Sequence, residues 1–155
     1  MSDLSDILSD RAVDAALVAA NKKGLFQQLA AAASKLSGVP AKTIAASLIA
    51  REKSGSTGFG GGAAIPHAKI EGLTQVSGYF ARLSTPVDFQ AIDNMPVDLV
   101  FLLLSPIDAG ADHLKALARV SRLFRDPQVA AKLRGARSKD ALFALLAGGE
   151  ARDAA

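Results

Sequence analysis

The stretch Val97-Asp98-Leu99-Val100-Phe101-Leu102-Leu103-Leu104 decides the fold that we predict for this chain. Asp98 is its only polar residue, and an apolar run of this kind is typical of a central strand covered on both faces. We therefore place residues 97–104 in the middle of a β-sheet. Two weaker patterns, residues 12–18 and 76–83, predict further strands. Thr85-Pro86 and residues 92–96 predict turns on either side of a short segment at residues 87–89.

Helical patterns precede and follow these strands. After a short helical turn at residues 4–8, Asn21 is expected to cap a helix that Gly38 ends, and Pro40 is expected to begin the next helix. Downstream, Asp108 or Asp112 is expected to cap a third helix, and Asp126-Pro127 and Ser138 to begin two more. The predicted core-facing side chains of these helices are Phe26, Leu29, Ala33, Leu36, Ile44, Leu48, Leu117, Val120, Phe124, Leu142, Leu145 and Leu146.

Interleaved strands and helices predict one three-layer α/β domain, in which a mixed β-sheet is flanked by helices. The 155 residues fit a single domain, and we assign residues 1–155 to it, with a disordered tail from about residue 150. There is no cysteine, which excludes disulfides and thiolate metal sites. An acidic N-terminus and the lack of a long apolar run predict a cytoplasmic protein without membrane insertion.

The net charge of +3 is spread over interleaved basic and acidic residues, and the chain has one tyrosine and no tryptophan. A nucleic-acid-binding protein would favour a basic run with aromatic stacking residues. The distribution of charged residues is therefore more typical of a solvated surface than of a nucleic-acid-binding site.

The segment from Arg51 to Ile70 carries the candidate chemistry: small and hydroxylated residues lie between Arg51 and His67. Such a segment is expected to leave backbone amides uncovered, as an anion requires. Ile44, Leu48 and Arg51 lie at i, i+4 and i+7, so Arg51 shares the helix face of the two apolar residues. Its alternative role is a cation that complements the helix end and extends to solvent. His67 suits reversible phosphoryl transfer, because neutral imidazole offers a nucleophilic nitrogen near pH 7.

Other chemistries fit this segment less well. The spacing Gly58-x-Gly60-x-x-Ala63 superficially matches a dinucleotide fingerprint, but that motif needs a strand before it and a helix after it. No Lys-Ser or Lys-Thr follows the glycines, so a Walker-type loop is absent. His67 and His113 are the only histidines, and a metal site would need a third ligand. A serine hydrolase of the elbow type is not indicated, because the sequence contains no Gly-x-Ser-x-Gly motif.

The motifs Arg51-Glu52, Gly55-Ser56-Thr57-Gly58, Ala64-Ile65-Pro66-His67 and Ala91-Ile92-Asp93-Asn94-x-Pro96-Val97-Asp98, followed by His113-Leu114, resemble a known family. It is the type 2 enzyme IIA domains of the bacterial phosphoenolpyruvate-dependent phosphotransferase system, which includes mannitol and fructose IIA domains. The likeness is greatest to the nitrogen-regulatory branch. The motifs run in family order through about residues 50–125, and the flanking helices are compatible.

The resemblance implies a role for each candidate residue. His67 would accept a phosphoryl group from the phosphohistidine of an HPr-type carrier protein. His113 would hydrogen-bond the phosphoryl oxygens, and Arg51 would neutralise their charge. Ser56, Thr57 and Gly58 match the phosphate loop beside the site. No cofactor is implied, and the chain would be a component with a transient phosphohistidine rather than an independent small-molecule enzyme.

Three functions remain open at the level of sequence. The first, which we prefer, is a regulatory phosphocarrier whose phosphorylation state changes its binding to target proteins, with transporters and sensor kinases as candidate classes. The second is a sugar-transport component that passes phosphate to a IIB domain. The third is a partner-binding module in which His67 is never phosphorylated.

Overall fold

The structure, a computed structural model, describes residues 4–148. The tail that we expected to be disordered lies outside this part of the chain. In chain order the strands and helices are β1 (Val13–Leu17), α1 (Lys22–Ser37), α2 (Ala41–Lys53), β2 (Gly58–Gly60), β3 (Ala63–Ala64), β4 (His67–Ile70), β5 (Ser77–Val87), β6 (Val97–Pro106), α3 (Ala111–Arg125), α4 (Pro127–Gly135) and α5 (Lys139–Ala147). The expected strands at residues 12–18 and 97–104 are therefore present as β1 and β6.

Strand β6 is the centre of a mixed six-stranded sheet with the order β1-β5-β6-β3-β2. It pairs antiparallel with β5 and parallel with β3 and β4. Side chains alternate along it: Val100, Leu102 and Leu104 pack with α1 and α2, whereas Leu99, Phe101 and Leu103 pack with α3, α4 and α5. Helices thus cover both faces, and the prediction of a three-layer α/β fold with a mixed sheet is confirmed.

Local sequence signals set most helix ends as predicted. The Asn21 side chain accepts a hydrogen bond from the Gly24 amide at the start of α1, and Gly38 ends that helix with a φ of 80°. Asp126 and Ser138 cap α4 and α5 in the same way. Leu36 is an exception: it is 42% exposed, because it lies in the last turn of α1, at the margin of the helix face that packs on the sheet.

Two local predictions are wrong. Thr85-Pro86 does not form a turn, because β5 continues to Val87. The register between β5 and β6 shifts between Arg82 and Val87, and such an irregularity tolerates a proline that cannot donate to the ladder. Neither Asp108 nor Asp112 caps α3. The N-cap is Gly110, whose φ of 59° is a conformation that favours glycine.

Three short strands, for which the sequence shows no strand pattern, lie between α2 and β5. Strands β2 and β3 make an antiparallel hairpin over the glycines, and β4 follows β3 along the same side of β6. Each has four residues or fewer, too short for an alternating pattern to emerge. The dinucleotide-like spacing lies within this hairpin and is followed by β4. His67 is the first residue of β4 and lies opposite Leu103 of β6.

We predict that Gly78→Ala destabilises the fold. A Cβ at this position in β5 would lie 2.4 Å from Cζ of Phe101, which is itself fully buried. Such crowding costs about 1–3 kcal/mol, to be measured as a fall in the free energy of urea unfolding. Gly135→Ala in α4 is the matched control, since a Cβ there meets open space and should be neutral or stabilising. Equal stability of both variants would contradict the proposed crowding.

Candidate functional site

His67 is held by hydrogen bonds to both of its ring nitrogens. Nδ1 lies 2.8 Å from the carbonyl oxygen of Ile65. A carbonyl oxygen only accepts, so Nδ1 carries the proton of the neutral ring. Nε of Arg51 donates to Nε2 of His67 over 3.2 Å, which requires a lone pair on Nε2. Both contacts therefore select the same tautomer, in which Nε2 is the nucleophilic nitrogen.

Arg51 comes to the site from the last turn of α2. Ile44 and Leu48, on the same helix face, are buried as predicted, and this register turns the Arg51 side chain towards β4. Its second hydrogen bond runs from a terminal guanidinium nitrogen to the carbonyl oxygen of Gly55 over 2.9 Å. The guanidinium therefore links the end of α2 to His67 rather than extending into solvent.

His113 lies beside His67, with their ring centroids 5.7 Å apart. It is in the first turn of α3 and is 7% exposed. Its Nδ1 is 2.7 Å from the hydroxyl oxygen of Ser105, which is completely buried on β6. The fold thus brings together three residues that are far apart in the sequence: Arg51, His67 and His113.

Both histidines have a pKa below the ordinary value of 6.5. Burial is the main cause for each, because it penalises the charged ring. At His67, the Ile65 carbonyl raises the pKa, the Arg51 charge lowers it and Glu52 raises it. At His113, the charges of His67 and Lys69 add to the lowering. Both rings are therefore neutral near pH 7, which leaves the Nε2 lone pair of His67 available.

Glu52 anchors the loop before His67, and its importance was not evident from the sequence. One carboxylate oxygen accepts from the Thr57 amide at 2.9 Å and from Lys22 at 2.7 Å. The other accepts from the Thr57 hydroxyl at 2.7 Å. The carbonyl oxygen of Thr57 in turn accepts a hydrogen bond from the Ile65 amide at 3.0 Å. The carboxylate therefore reaches the backbone that orients His67. The available signal was the position of Glu52 between a helix end and a threonine five residues later.

The expectation of uncovered amides is wrong for much of the glycine-rich segment. Glu52 binds the Thr57 amide, the Ser56 hydroxyl oxygen binds the Gly58 amide at 3.1 Å, and Asp93 binds the Gly61 amide at 3.0 Å. Side-chain oxygens already satisfy these donors; Glu52 and Ser56 lie in the same segment, and Asp93 comes from the turn before β6. The phosphate-loop role of Ser56, Thr57 and Gly58 stays a prediction.

Two features are absent from residues 4–148. No group of three or more His, Cys, Asp or Glu side chains is placed to hold a metal ion. None of the helices in this part of the chain is long and apolar enough to cross a membrane.

Comparisons with known proteins support the family resemblance. A sequence model of the phosphoenolpyruvate-dependent sugar phosphotransferase system, EIIA 2, matches residues 6–148. The nitrogen regulatory protein of Bradyrhizobium diazoefficiens is 48% identical over 144 residues, which are 93% of this chain and 94% of that protein. The crystal structure of nitrogen regulatory protein IIA-Ntr from Neisseria meningitidis gives a TM-score of 0.88 at 34% identity, over 92% of this chain and 98% of the other. The IIA mannitol structure from Escherichia coli is 20% identical, with a TM-score of 0.76 over 90% and 98% of the two chains, and shows the same fold.

We predict that the protein loses stability as the pH falls below 6.5, the ordinary histidine pKa. In that range the unfolded chain binds protons that the folded histidines exclude, so the free energy of unfolding falls until the lowered folded pKa is passed. The measurement is urea unfolding between about pH 5 and 8. A His67→Gln/His113→Gln double variant should show a flatter dependence, and an unchanged slope would contradict the assignment to these residues.

Proposed function

Because the chain belongs to the EIIA type 2 family of the phosphoenolpyruvate-dependent sugar phosphotransferase system, we propose that it is a regulatory phosphocarrier. It accepts a phosphoryl group on Nε2 of His67 from the phosphohistidine of an HPr-type carrier protein. Its phosphorylation state then changes its binding to target proteins. The observation that carries this proposal is the tautomer of His67, whose two hydrogen bonds leave the lone pair on Nε2.

The transfer exchanges one nitrogen–phosphorus bond for another. The Nε2 lone pair of His67 attacks phosphorus, and the bond to the carrier histidine breaks with its electron pair returning to that ring. The proton on Nδ1 of His67 stays in its hydrogen bond to Ile65. Arg51 must release Nε2 before the attack, and its guanidinium is then beside the incoming phosphoryl oxygens. Such a step needs positioning and charge stabilisation more than acid–base chemistry.

The regulatory role is favoured over sugar transport by a relative that matches 93% of this chain. The protein that is 48% identical is named a nitrogen regulatory protein. The mannitol IIA structure at 20% identity speaks for the fold alone. Phosphorylation supplies a physical basis for a switch, since a phosphoryl group adds about −1.5 to −2 charges near neutral pH. This strengthens contact with a basic partner surface and weakens contact with an acidic or apolar one.

We predict that phosphoenolpyruvate, enzyme I and the HPr-type carrier protein together add one phosphoryl group to this protein. Intact-mass spectrometry should show an acid-labile, alkali-stable adduct, and His67→Ala should abolish it. A folded alanine variant that is labelled at the wild-type rate would refute His67 as the acceptor. Absence of any label on the wild-type protein would favour a partner-binding module. Transfer from the phosphorylated protein to a IIB domain would favour sugar transport.

We further predict that Arg51→Ala and His113→Ala slow the transfer without removing the acceptor. Loss of the guanidinium should cost about a hundredfold in rate, as for a charge-stabilising donor. Loss of the His113 donor should cost about tenfold or more. Single-turnover transfer from the phosphorylated carrier measures both. Arg51→Lys is the matched control, because it keeps the charge but not the planar fork. A normal rate in Arg51→Ala would reduce Arg51 to a helix-end cation.

A further inference from the structure

Ser105 is a buried polar side chain in the apolar central strand. It lies on β6 opposite Lys69 of β4, two residues beyond Leu103, which lies opposite His67. The residue is completely buried, and its hydroxyl oxygen is 2.7 Å from Nδ1 of His113. A buried hydroxyl in such surroundings is costly unless it is hydrogen-bonded. This contact therefore determines where the hydroxyl proton lies.

The protons of this contact can be assigned by elimination. Within residues 4–148, Nδ1 of His113 is the partner found for the Ser105 hydroxyl. If Nδ1 carried the ring proton and donated it, the hydroxyl proton would be buried without an acceptor. The hydroxyl therefore donates and Nδ1 accepts. The proton of the neutral His113 ring must then be on Nε2.

Nε2 of His113 is the nitrogen of this ring that has no protein partner among residues 4–148. In the described part of the chain, no hydrogen bond to this nitrogen is found, whereas every fully buried side-chain nitrogen or oxygen has a partner. Nε2 is therefore not fully buried, and its N–H is free to bind an incoming group. The ring that carries it is 5.7 Å, centroid to centroid, from the ring of His67.

We propose that Ser105 is a positioning residue, which holds neutral His113 in the Nε2–H tautomer so that it donates a hydrogen bond to the phosphoryl group without first being protonated. The inference rests on the proposed function, because the ligand is the group transferred to His67. The two histidines then have opposite tautomers. His67 presents a lone pair on Nε2, and His113 presents an N–H on Nε2.

The electrostatic surroundings give this tautomer its importance. Burial, together with His67 and Lys69 on β4, lowers the pKa of His113. Arg51 on α2 adds a further positive charge beside His67, and Asp112 is the acidic neighbour in the first turn of α3. A ring that is neutral near pH 7 donates from only one nitrogen. Ser105 determines that this nitrogen is the one open to the site.

The first experiment reads the tautomers directly by ¹⁵N NMR of the unphosphorylated protein. We expect a pyridine-like Nδ1 and a pyrrole-like Nε2 for His113, and the reverse pattern for His67. Ser105→Ala should shift the His113 signals towards a tautomer mixture. Ser105→Thr, which keeps the hydroxyl group, should give the wild-type signals. Ser77→Ala is the matched control, since this strand serine binds the Gln75 carbonyl oxygen instead. A pyrrole-like Nδ1 on His113 in the wild-type protein would overturn the proposal.

The second experiment measures transfer from the phosphorylated carrier. Ser105→Ala should slow it about two- to tenfold, the value of one neutral hydrogen bond, and Ser77→Ala should not. If Ser105 acts through His113, Ser105→Ala should have no further effect in a His113→Ala background. A slowing that persists in that background, or unchanged rates and NMR signals in Ser105→Ala, would overturn the proposal. Failure of the wild-type protein to be labelled, with the predicted tautomers present, would refute the phosphocarrier function while supporting the control of His113 by Ser105.

Discussion

The hydrogen bond from Nδ1 of His67 to the carbonyl oxygen of Ile65 is the constraint on which the site depends. It fixes the ring proton and thereby leaves the lone pair on Nε2. Its acceptor is fixed in turn by a chain of backbone and side-chain contacts: Thr57 binds the Ile65 amide, and Glu52 binds Thr57. The Lys22–Glu52 ion pair extends this chain to the start of α1. Two helices and one hairpin therefore determine the position of a single carbonyl group.

The pairing of the strands around Ile65 explains why its carbonyl oxygen is available to accept a hydrogen bond from His67. Amide and carbonyl groups of one strand residue point the same way, and the Ile65 amide points to Thr57, on the side away from β6. The Pro66 carbonyl points the other way and accepts from the Leu103 amide at 2.9 Å. Among residues 4–148, β4 pairs only with β6. Ile65 lies between the end of β3 and the start of β4, and its carbonyl accepts from the His67 side chain rather than from a neighbouring strand.

A structural feature could be predicted from the sequence when the contacts that determine it lie within a few residues. Asn21, Asp126 and Ser138 cap their helices with contacts two or three residues away, so their patterns were sufficient. The turn predicted at Thr85-Pro86 is wrong because the irregular pairing of β5 with β6 accommodates a proline within the strand. Arg51 and His67 were recognisable from helix register and loop composition, whereas the role of His113 came from the family resemblance. Ser105 resembles any small residue in an apolar run, and only the packing of α3 on β6 brings it to His113.

The charges of the site explain why a neutral His113 suits a reversible carrier. In the proposed phosphorylated state, a group of about −1.5 to −2 charges lies beside Arg51, which contributes +1. Lys69 is exposed, and a solvated charge of this kind adds little. A protonated His113 would complete the neutralisation and oppose release of the phosphoryl group. A neutral ring that donates through Nε2 orients the oxygens and leaves part of the negative charge uncompensated. The site then remains able to pass the group on, and the residual charge can be sensed by a partner.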